Sequence, residues 1–270
     1  MIKYPPMPLV GFGGSAPGGE PPPRFLVGPD DVRQGSVHLR GEEGHHARNV
    51  FRLRPGDPFV AIDGQGAEYE AVVQIQTPDG LIGKITHTTR RTREPLARLT
   101  LAQAVVKAPK LSAVVAFGTA LGVAEFVLFE SVRTQKRTVD DTELRHLNAV
   151  AASTVKQSLR ATLPLMRGPL TYQEVIREAA AYNRAFICAS DPAATPIATS
   201  LAARVKLPNR ILVVVGPEGG FDDGEVEEAR ALGLKTFDLG PRRLRAELAA
   251  PTACALALFA VGDLGPTSSS

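Results

Sequence analysis

The sequence predicts an α/β protein made of two unlike parts: a small β-barrel, then a larger domain with a mostly parallel sheet. Residues from Phe25 to about Arg93 read as short strands broken by turn signals, the pattern of a small barrel. From Leu99 onward, strand-like runs alternate with helical periodicity, the pattern of a sheet wrapped by helices. Two of those runs, FICA (186–189) and ILVVV (211–215), are apolar throughout, as strands buried on both faces must be.

The barrel elements follow in order. PFVAID (58–63), AEYEAVVQIQ (67–76) and LIGKITH (81–87) are β-like, with turns at DGQG (63–66) and PDG (78–80). The stretch GHHARNVFRLR (44–54) brings His45 and His46 together, but no spaced third and fourth ligand follows, so a metal site is not expected. TTRRTREPLAR (88–98) is polar, basic and broken by Pro95, and reads as a linker whose Arg90, Arg91 and Arg93 are free to touch phosphates.

In the larger domain, RLTLAQAVV (98–106) is a strand, and Pro109 suits the first turn of a helix that Gly122 ends. EFVLF (125–129) is the next strand. A helix from about Thr142 to Leu159 carries Leu144, Leu147, Ala151 and Val155 on one stripe. Thr171 and Glu174 form a capping-box pattern. Asp222 and Glu225 open a helix that Gly233 closes. TFDL (236–239) is the last strand, and a helix from about Glu247 to Val261 ends the fold.

Composition sets bounds on partners. The 270 residues hold 44% hydrophobic and 22% charged side chains, as a globular chain does. Lys plus Arg total 31 against 28 acids, a net charge of +3, which excludes a polybasic protein but not a local basic face. Arg outnumbers Lys 23 to 8, which suits bidentate contacts with phosphate or carboxylate. Residues 1–23 contain 7 Pro and 5 Gly and are expected to form a flexible arm, and 265–270 a loose tail. Cys188 and Cys254 read as free thiols in a reducing compartment, and no apolar run reaches membrane-span length. The cytoplasm is therefore the expected location.

Two segments carry the chemistry. ILVVV runs into Gly216-Pro217-Glu218-Gly219-Gly220-Phe221 and then a capped helix. Glycines let a ligand approach backbone, and ligands bind at the carboxyl ends of strands in open α/β sheets. No Walker lysine is present, and Glu218, Asp222, Asp223 and Glu225 would repel phosphate, so an adenosine-like ligand fits better than a nucleotide phosphate. A plain β-to-α turn remains the alternative at this point. The second segment, Leu239-Gly240-Pro241-Arg242-Arg243-Leu244-Arg245-Ala246-Glu247, again lies between strand and helix and offers three arginines to an anionic substrate.

GPEGGF with an acidic helix start, then LGxRxLRxE and an Ala-rich helix, resembles the ribosomal RNA small subunit methyltransferase E family, the 16S rRNA uridine-N3 methyltransferases of the SPOUT superfamily. The resemblance spans about residues 25–262. It includes His46, Arg52, Gly56-Asp57 and the stretch from Asp63-Gly64 to Glu68-Tyr69 in the barrel, then Lys107, Lys110, Leu121-Gly122-Val123, Arg133, Gln157, Arg160 and Pro164. It implies a PUA-like RNA-binding barrel over 24–93 and a trefoil-knotted SPOUT domain over 94–264. It also implies S-adenosylmethionine as cofactor, 16S rRNA of the small subunit as substrate, and a homodimer.

Carried onto this chain, Gly216, Glu218, Gly219, Gly220, Leu239 and Leu244 are expected at the cofactor. Arg245 is the first candidate cation beside the reacting uracil and Arg160 the second. Glu247 is either a general base or the partner of an arginine. Arg48, Arg52 and Arg54 on the barrel, with Arg133, Lys136 and Arg137, are expected to bind RNA. Three positions depart from the family pattern: Ala120 for Glu, Leu248 for Thr, and Arg243 for an apolar residue. Methylation of a different RNA, or RNA binding without catalysis, are the alternatives that these departures leave.

Overall fold

The computed structural model describes residues 21–91, 93–135, 138–189 and 210–264. The expected arm up to Glu20, the tail 265–270, and Lys136 and Arg137 lie outside the described residues.

The amino-terminal part is one curled six-stranded sheet. Its strands are β1 (Arg24–Leu26), β2 (Val32–Arg33), β3 (Ser36–Leu39), β4 (Pro58–Ile62), β5 (Ala67–Thr77) and β6 (Gly80–Arg90), in the order β1-β4-β5-β6-β3-β2. β1 runs parallel to β4, and the other pairs are antiparallel. Register shifts at Glu70/Ala71 and Val73/Ile75 bend the long β5–β6 pair. Phe25, Val37, Leu39, Phe59 and Leu81 fill the inside. Gly83 admits the Phe59 ring, because a Cβ there would stand 2.3 Å from it. Between β3 and β4 lie helix α1 (Gly41–His45) and a π-helical turn, His46–Val50.

The second part is a six-stranded sheet whose pairs are all parallel, in the order β12-β10-β11-β7-β8-β9. Its elements are β7 (Arg98–Ala104), α2 (Ala108–Leu121), β8 (Glu125–Glu130), α3 (Asp141–Gln157), β9 (Leu165–Thr171), α4 (Tyr172–Arg177), β10 (Arg184–Cys188), β11 (Arg210–Val215), α5 (Asp223–Ala231), β12 (Lys235–Phe237) and α6 (Ala246–Ala260). Alternation along β11 feeds two cores. Ile211, Val213 and Val215 face the core shared with Leu111, Leu147 and Leu258, while Leu212 and Val214 face Tyr172, Val175 and Ala229. Burial on both faces is why this strand reads as an unbroken apolar run. β9 was not anticipated, because Gly168 and Pro169 punctuate it. It is an edge strand, where a proline costs no ladder bond. After β12 at the opposite edge, α6 returns to pack on α2 and the central strands β7 and β11. Among the described residues no helix is long and apolar enough to cross a membrane.

The expected linker is a fixed junction. Thr162 bridges to Gly64 and Gln65, and Gly66 and Leu163 add backbone bonds to Ala161 and Gly64 of 3.1 and 2.9 Å. Arg160 lies within this junction, 2.7 Å from Glu94, with side chains 3% and 4% exposed. Its guanidinium also donates to the carbonyls of Thr119 (2.7 Å) and Val123 (3.1 Å). The other Glu94 oxygen accepts the N–H groups of Ala161 and Thr162. Arg160 thus serves a buried structural ion pair, its Nε, Nη1 and Nη2 all donating to Glu94, Thr119 or Val123, where the sequence suggested a catalytic cation. Arg24 and Arg93 pair with Glu68 at 2.7 and 3.3 Å, so Nη1 of the half-exposed Arg93 is engaged by a carboxylate.

Burial alone would raise the Glu68 carboxyl, but the Arg24 hydrogen bond and charge, with Arg93, hold it below its ordinary value. A carboxyl lowered in the folded state stabilises above the unfolded value and loses that contribution as pH falls through the folded one. Denaturant unfolding of Glu68→Gln and wild type should therefore differ at neutral pH and converge in strong acid. Arg160→Ala strands Glu94 and should cost about 3–5 kcal/mol, the range for a buried pair that loses one partner. A loss below about 1 kcal/mol, the level of a surface pair, would contradict that placement.

Candidate active site

The chain leaves β7 toward β8 and β9 on one side and returns to build β11, β10 and β12 on the other. Such a reversal of strand order opens a crevice at the carboxyl ends of the strands. A cavity of about 860 Å³ lies there, over the ends of β10, β11 and β12. Its walls are the loop after β11, the loop from β12 to α6, the end of β10, the first turns of α5 and α6, and single residues from α2 (Lys110) and the loop after β8 (Arg133).

The loop after β11 is held from beneath. Gly216 is buried, and its carbonyl accepts from Nε2 of the fully buried Gln103 at 3.2 Å. Gly220 closes the turn on Pro217 O (2.9 Å) at φ +68°, a left-handed conformation that favours glycine. Phe221 folds under the loop, stacked on Phe129 with centroids 6.4 Å apart and 5.7 Å from Tyr172. The carboxylate of Glu225, buried at the start of α5, accepts from the N–H groups of Asp222 and Val132, both at 3.0 Å. Asp222 caps the same helix in return, accepting from Glu225 N at 2.8 Å.

The exposed side of this loop is pinned by two cations. Lys110 pairs with Glu218 at 3.1 Å. Partial burial would raise the Glu218 carboxyl, but its own backbone N–H and Lys110 outweigh it and hold it low and charged. Arg133 donates to Gly219 O at 3.1 Å. A Cβ on Gly219 would meet Arg133 Cβ at 3.2 Å, so this glycine makes room for the arginine.

The second loop presents charge outward. Gly240 N donates to Asp238 Oδ1 at 2.9 Å, folding the chain back after β12. Leu239 and Leu244 are half-buried in the cavity wall, and among the described residues their backbone N–H groups have no protein acceptor. Arg242, Arg243 and Arg245 are exposed on the rim. Arg245 is 83% exposed, and its nearest acid is Glu247 at 4.0 Å. Oε2 of Glu247 is buried without a hydrogen-bond partner. Cys188 also lines the cavity; desolvation pushes its thiol up, and that of the buried Cys254 up to about 12, which favours the protonated form of both.

All six residues expected at the cofactor line this one cavity, as does Arg245. Of the RNA candidates, Arg133 stands on the cavity rim. Arg48, Arg52 and Arg54 lie on the barrel, where Nη1 of Arg48 is already used by the carbonyls of Thr77 (2.5 Å) and Pro78 (2.6 Å). Gln103, Asp238 and Tyr172 were not anticipated, and Phe221 stood in the glycine motif without a role of its own. Their roles arise from contacts between distant segments, and Glu225 had registered as a helix start and an acid unfavourable to phosphate.

The wall chemistry fits S-adenosylmethionine. Val215, Phe237, Leu239 and Ala249 give apolar surface for a purine, free backbone N–H groups give its edge donors, and Glu218 and Asp238 can receive hydroxyl or ammonium groups. The volume also lies in the range of small-molecule sites, about 300–1,000 Å³.

Comparison with known proteins agrees. An RNA methyltransferase domain matches residues 92–258, and an RNA methyltransferase PUA domain matches 39–86. Ribosomal RNA small subunit methyltransferase E of Mycobacterium bovis is 33% identical, covering 83% of this chain and 85% of its own length. This chain belongs to the ribosomal RNA small subunit methyltransferase E family. The Bacillus subtilis member is 27% identical over 78% of this chain and 85% of its own. The Neisseria gonorrhoeae member, solved bound to S-adenosyl methionine, superposes with a TM-score of 0.74 at 25% identity, over 87% of this chain and 95% of its own. A Legionella pneumophila protein solved with the same cofactor gives 0.78 at 25%, over 89% and 98%. The fold is thus the SPOUT-type α/β domain behind a PUA-like barrel, and the family is a cofactor-dependent RNA methyltransferase family.

In this family member Glu225→Gln places an amide NH₂ against one of two buried N–H groups. Stability should fall by about 1.5–3 kcal/mol, the worth of a hydrogen bond to a charged group. Cofactor affinity by calorimetry should fall with it. Unchanged affinity in the folded variant would show that the Glu225 ties do not shape the cavity.

Proposed function

We propose that this protein methylates N3 of a uridine in the 16S ribosomal RNA of the small subunit. The observation that carries the reading is a glycine loop and an arginine loop at neighbouring strand ends around one cavity. Gly216, Glu218, Gly219, Gly220, Leu239 and Leu244 hold the cofactor, mostly through backbone groups. S-adenosylmethionine supplies an electrophilic methyl group on a sulfonium sulfur when bound.

The protein's own residues then have two tasks. They must place the uracil in line, a problem of positioning, and they must stabilise the negative charge left when N3 gives up its proton. Arg245 serves the second task. Its guanidinium stands at the rim, free to face uracil O2 or O4. Glu247, the acid beside Arg245 at 4.0 Å, is the group proposed to receive the N3 proton. The target base has to leave its stack to reach the cavity. The barrel of residues 24–93 grips the RNA with Arg52 and Arg54, and Arg133 adds a contact beside the catalytic domain of residues 94–264. The place of action is the cytoplasm.

We infer that two copies pair through α6. That helix has one charged residue, Glu247, in fifteen, yet Leu248 and Phe259 are 53% and 66% exposed on its outer side. A helix apolar all round belongs in an interior. Phe117, on the neighbouring α2, is 42% exposed. Phe259→Asp should convert a dimer to a monomer in light scattering, and a wild-type monomer would overturn the pairing.

Arg245→Ala should slow transfer of labelled methyl to small-subunit RNA by about 100-fold or more, the scale for losing one charge-stabilising donor. Cofactor affinity should stay within a few-fold, roughly, since the residue faces the substrate side. Wild-type turnover in this variant would remove Arg245 from the mechanism.

A further inference from the structure

The barrel carries an apolar feature that the catalytic domain does not explain. Val50 and Phe51, at the end of the π-helical turn, are 61% and 52% exposed. Their backbone is not loose. Phe51 N donates to His46 O and Leu53 N to Ala47 O, both at 3.0 Å, and Gln76 Nε2 donates to Leu53 O at 2.6 Å. Ala47 and Leu53 are buried in the barrel core. Between these anchors Arg52 sits at φ +55°, a left-handed conformation unusual for a residue with a side chain. The Phe51 ring meets the buried Phe25 ring edge-on, with centroids 5.6 Å apart at 85°. One aromatic is therefore clamped from inside and open to solvent outside.

The charges around it are cationic. Arg52 and Arg54 are exposed on the same loop, and among the described residues neither pairs with a carboxylate. Asp57, the acid next along the chain, spends Oδ2 on the backbone N–H of Arg54 at 2.7 Å. Nη1 of Arg48 is turned away to the β5–β6 turn. A fixed aromatic face flanked by unpaired guanidinium groups matches an unpaired base with its two phosphates. Sequence-tolerant recognition of single strands uses that combination.

We propose that Phe51 is a stacking platform for an unpaired base of the RNA substrate, with Arg52 and Arg54 on the adjoining phosphates. The proposal rests on the RNA methyltransferase reading and adds a base-binding step away from the cofactor cavity.

The chain contains no tryptophan, so Phe51→Trp places a single indole at the platform. Its emission should be quenched on titration with a short single-stranded RNA, and far less by the duplex of the same sequence. Phe51→Leu keeps the apolar packing but removes the aromatic face. It should weaken single-strand binding by about 5- to 150-fold, equivalent to about 1–3 kcal/mol for one stacked base. It should also raise KM with kcat unchanged, as a lost binding contact does. RNA binding by Phe51→Trp with unaltered emission would overturn the platform while leaving the RNA reading intact. No RNA binding by the wild type would sink both. A change of oligomeric state in Phe51→Leu without RNA would assign the side chain to a protein contact and overturn the proposal.

Discussion

The cavity at the strand ends depends on one buried carboxylate. Glu225 is the point where the loop after β8 and the loop after β11 meet the first turn of α5. Its backbone carbonyl accepts from the Tyr172 hydroxyl of α4, which burial, and then the acids Glu225, Glu228 and Asp222, keep protonated. Tyr172 and Phe129 in turn seat Phe221 under the glycine loop. A glycine-rich loop has no side chains with which to fix itself, so its shape must come from below. An unsatisfied N–H in this buried spot costs about 1–3 kcal/mol, which is why the ties act together.

A second constraint fixes the two parts of the chain to each other. Two buried ion pairs, Arg160–Glu94 and Arg24–Glu68, lie at one junction, beside the apolar cluster of Val60, Ile62, Val155 and Ala161. Buried pairs contribute little net stability compared with apolar packing, but they punish separation, because each partner would be left as an unpaired charge. The barrel is thus held as a rigid extension of the catalytic sheet. On the proposed reading, RNA held by the barrel would meet the cavity at a set distance. This is also how a chain of net charge +3 serves a polyanion. Acids are consumed at the junction and beneath the glycine loop, while Arg52, Arg54, Arg242, Arg243 and Arg245 stay outward.

Much of this was legible in the sequence, and the division has a physical cause. Local rules sufficed for α4, where Thr171 and Glu174 form the capping box that their spacing announces. They sufficed for β10 and β11, whose apolar runs need two covered faces. They failed at β9, where an edge position excuses a proline, and at Arg160, whose partners Glu94, Thr119 and Val123 lie 37 to 66 residues away. The glycine and arginine segments both line the one cavity, because strand ends are where such turns gather. The supports of that cavity were invisible. Gln103 and Tyr172 are ordinary residues until the sheet brings them beneath it. Gly219 also gained a second role, making room for Arg133 beside the cavity it lines.

The central claim is that this cavity directs methyl transfer to uridine N3 of small-subunit RNA. Nucleoside mass spectrometry tests it most directly, on unmethylated 16S rRNA or small subunits treated with the protein and isotope-labelled S-adenosylmethionine. The account requires labelled 3-methyluridine in the small-subunit RNA. Label in a different nucleoside or solely in another RNA, or cofactor binding without any label transfer, would contradict it.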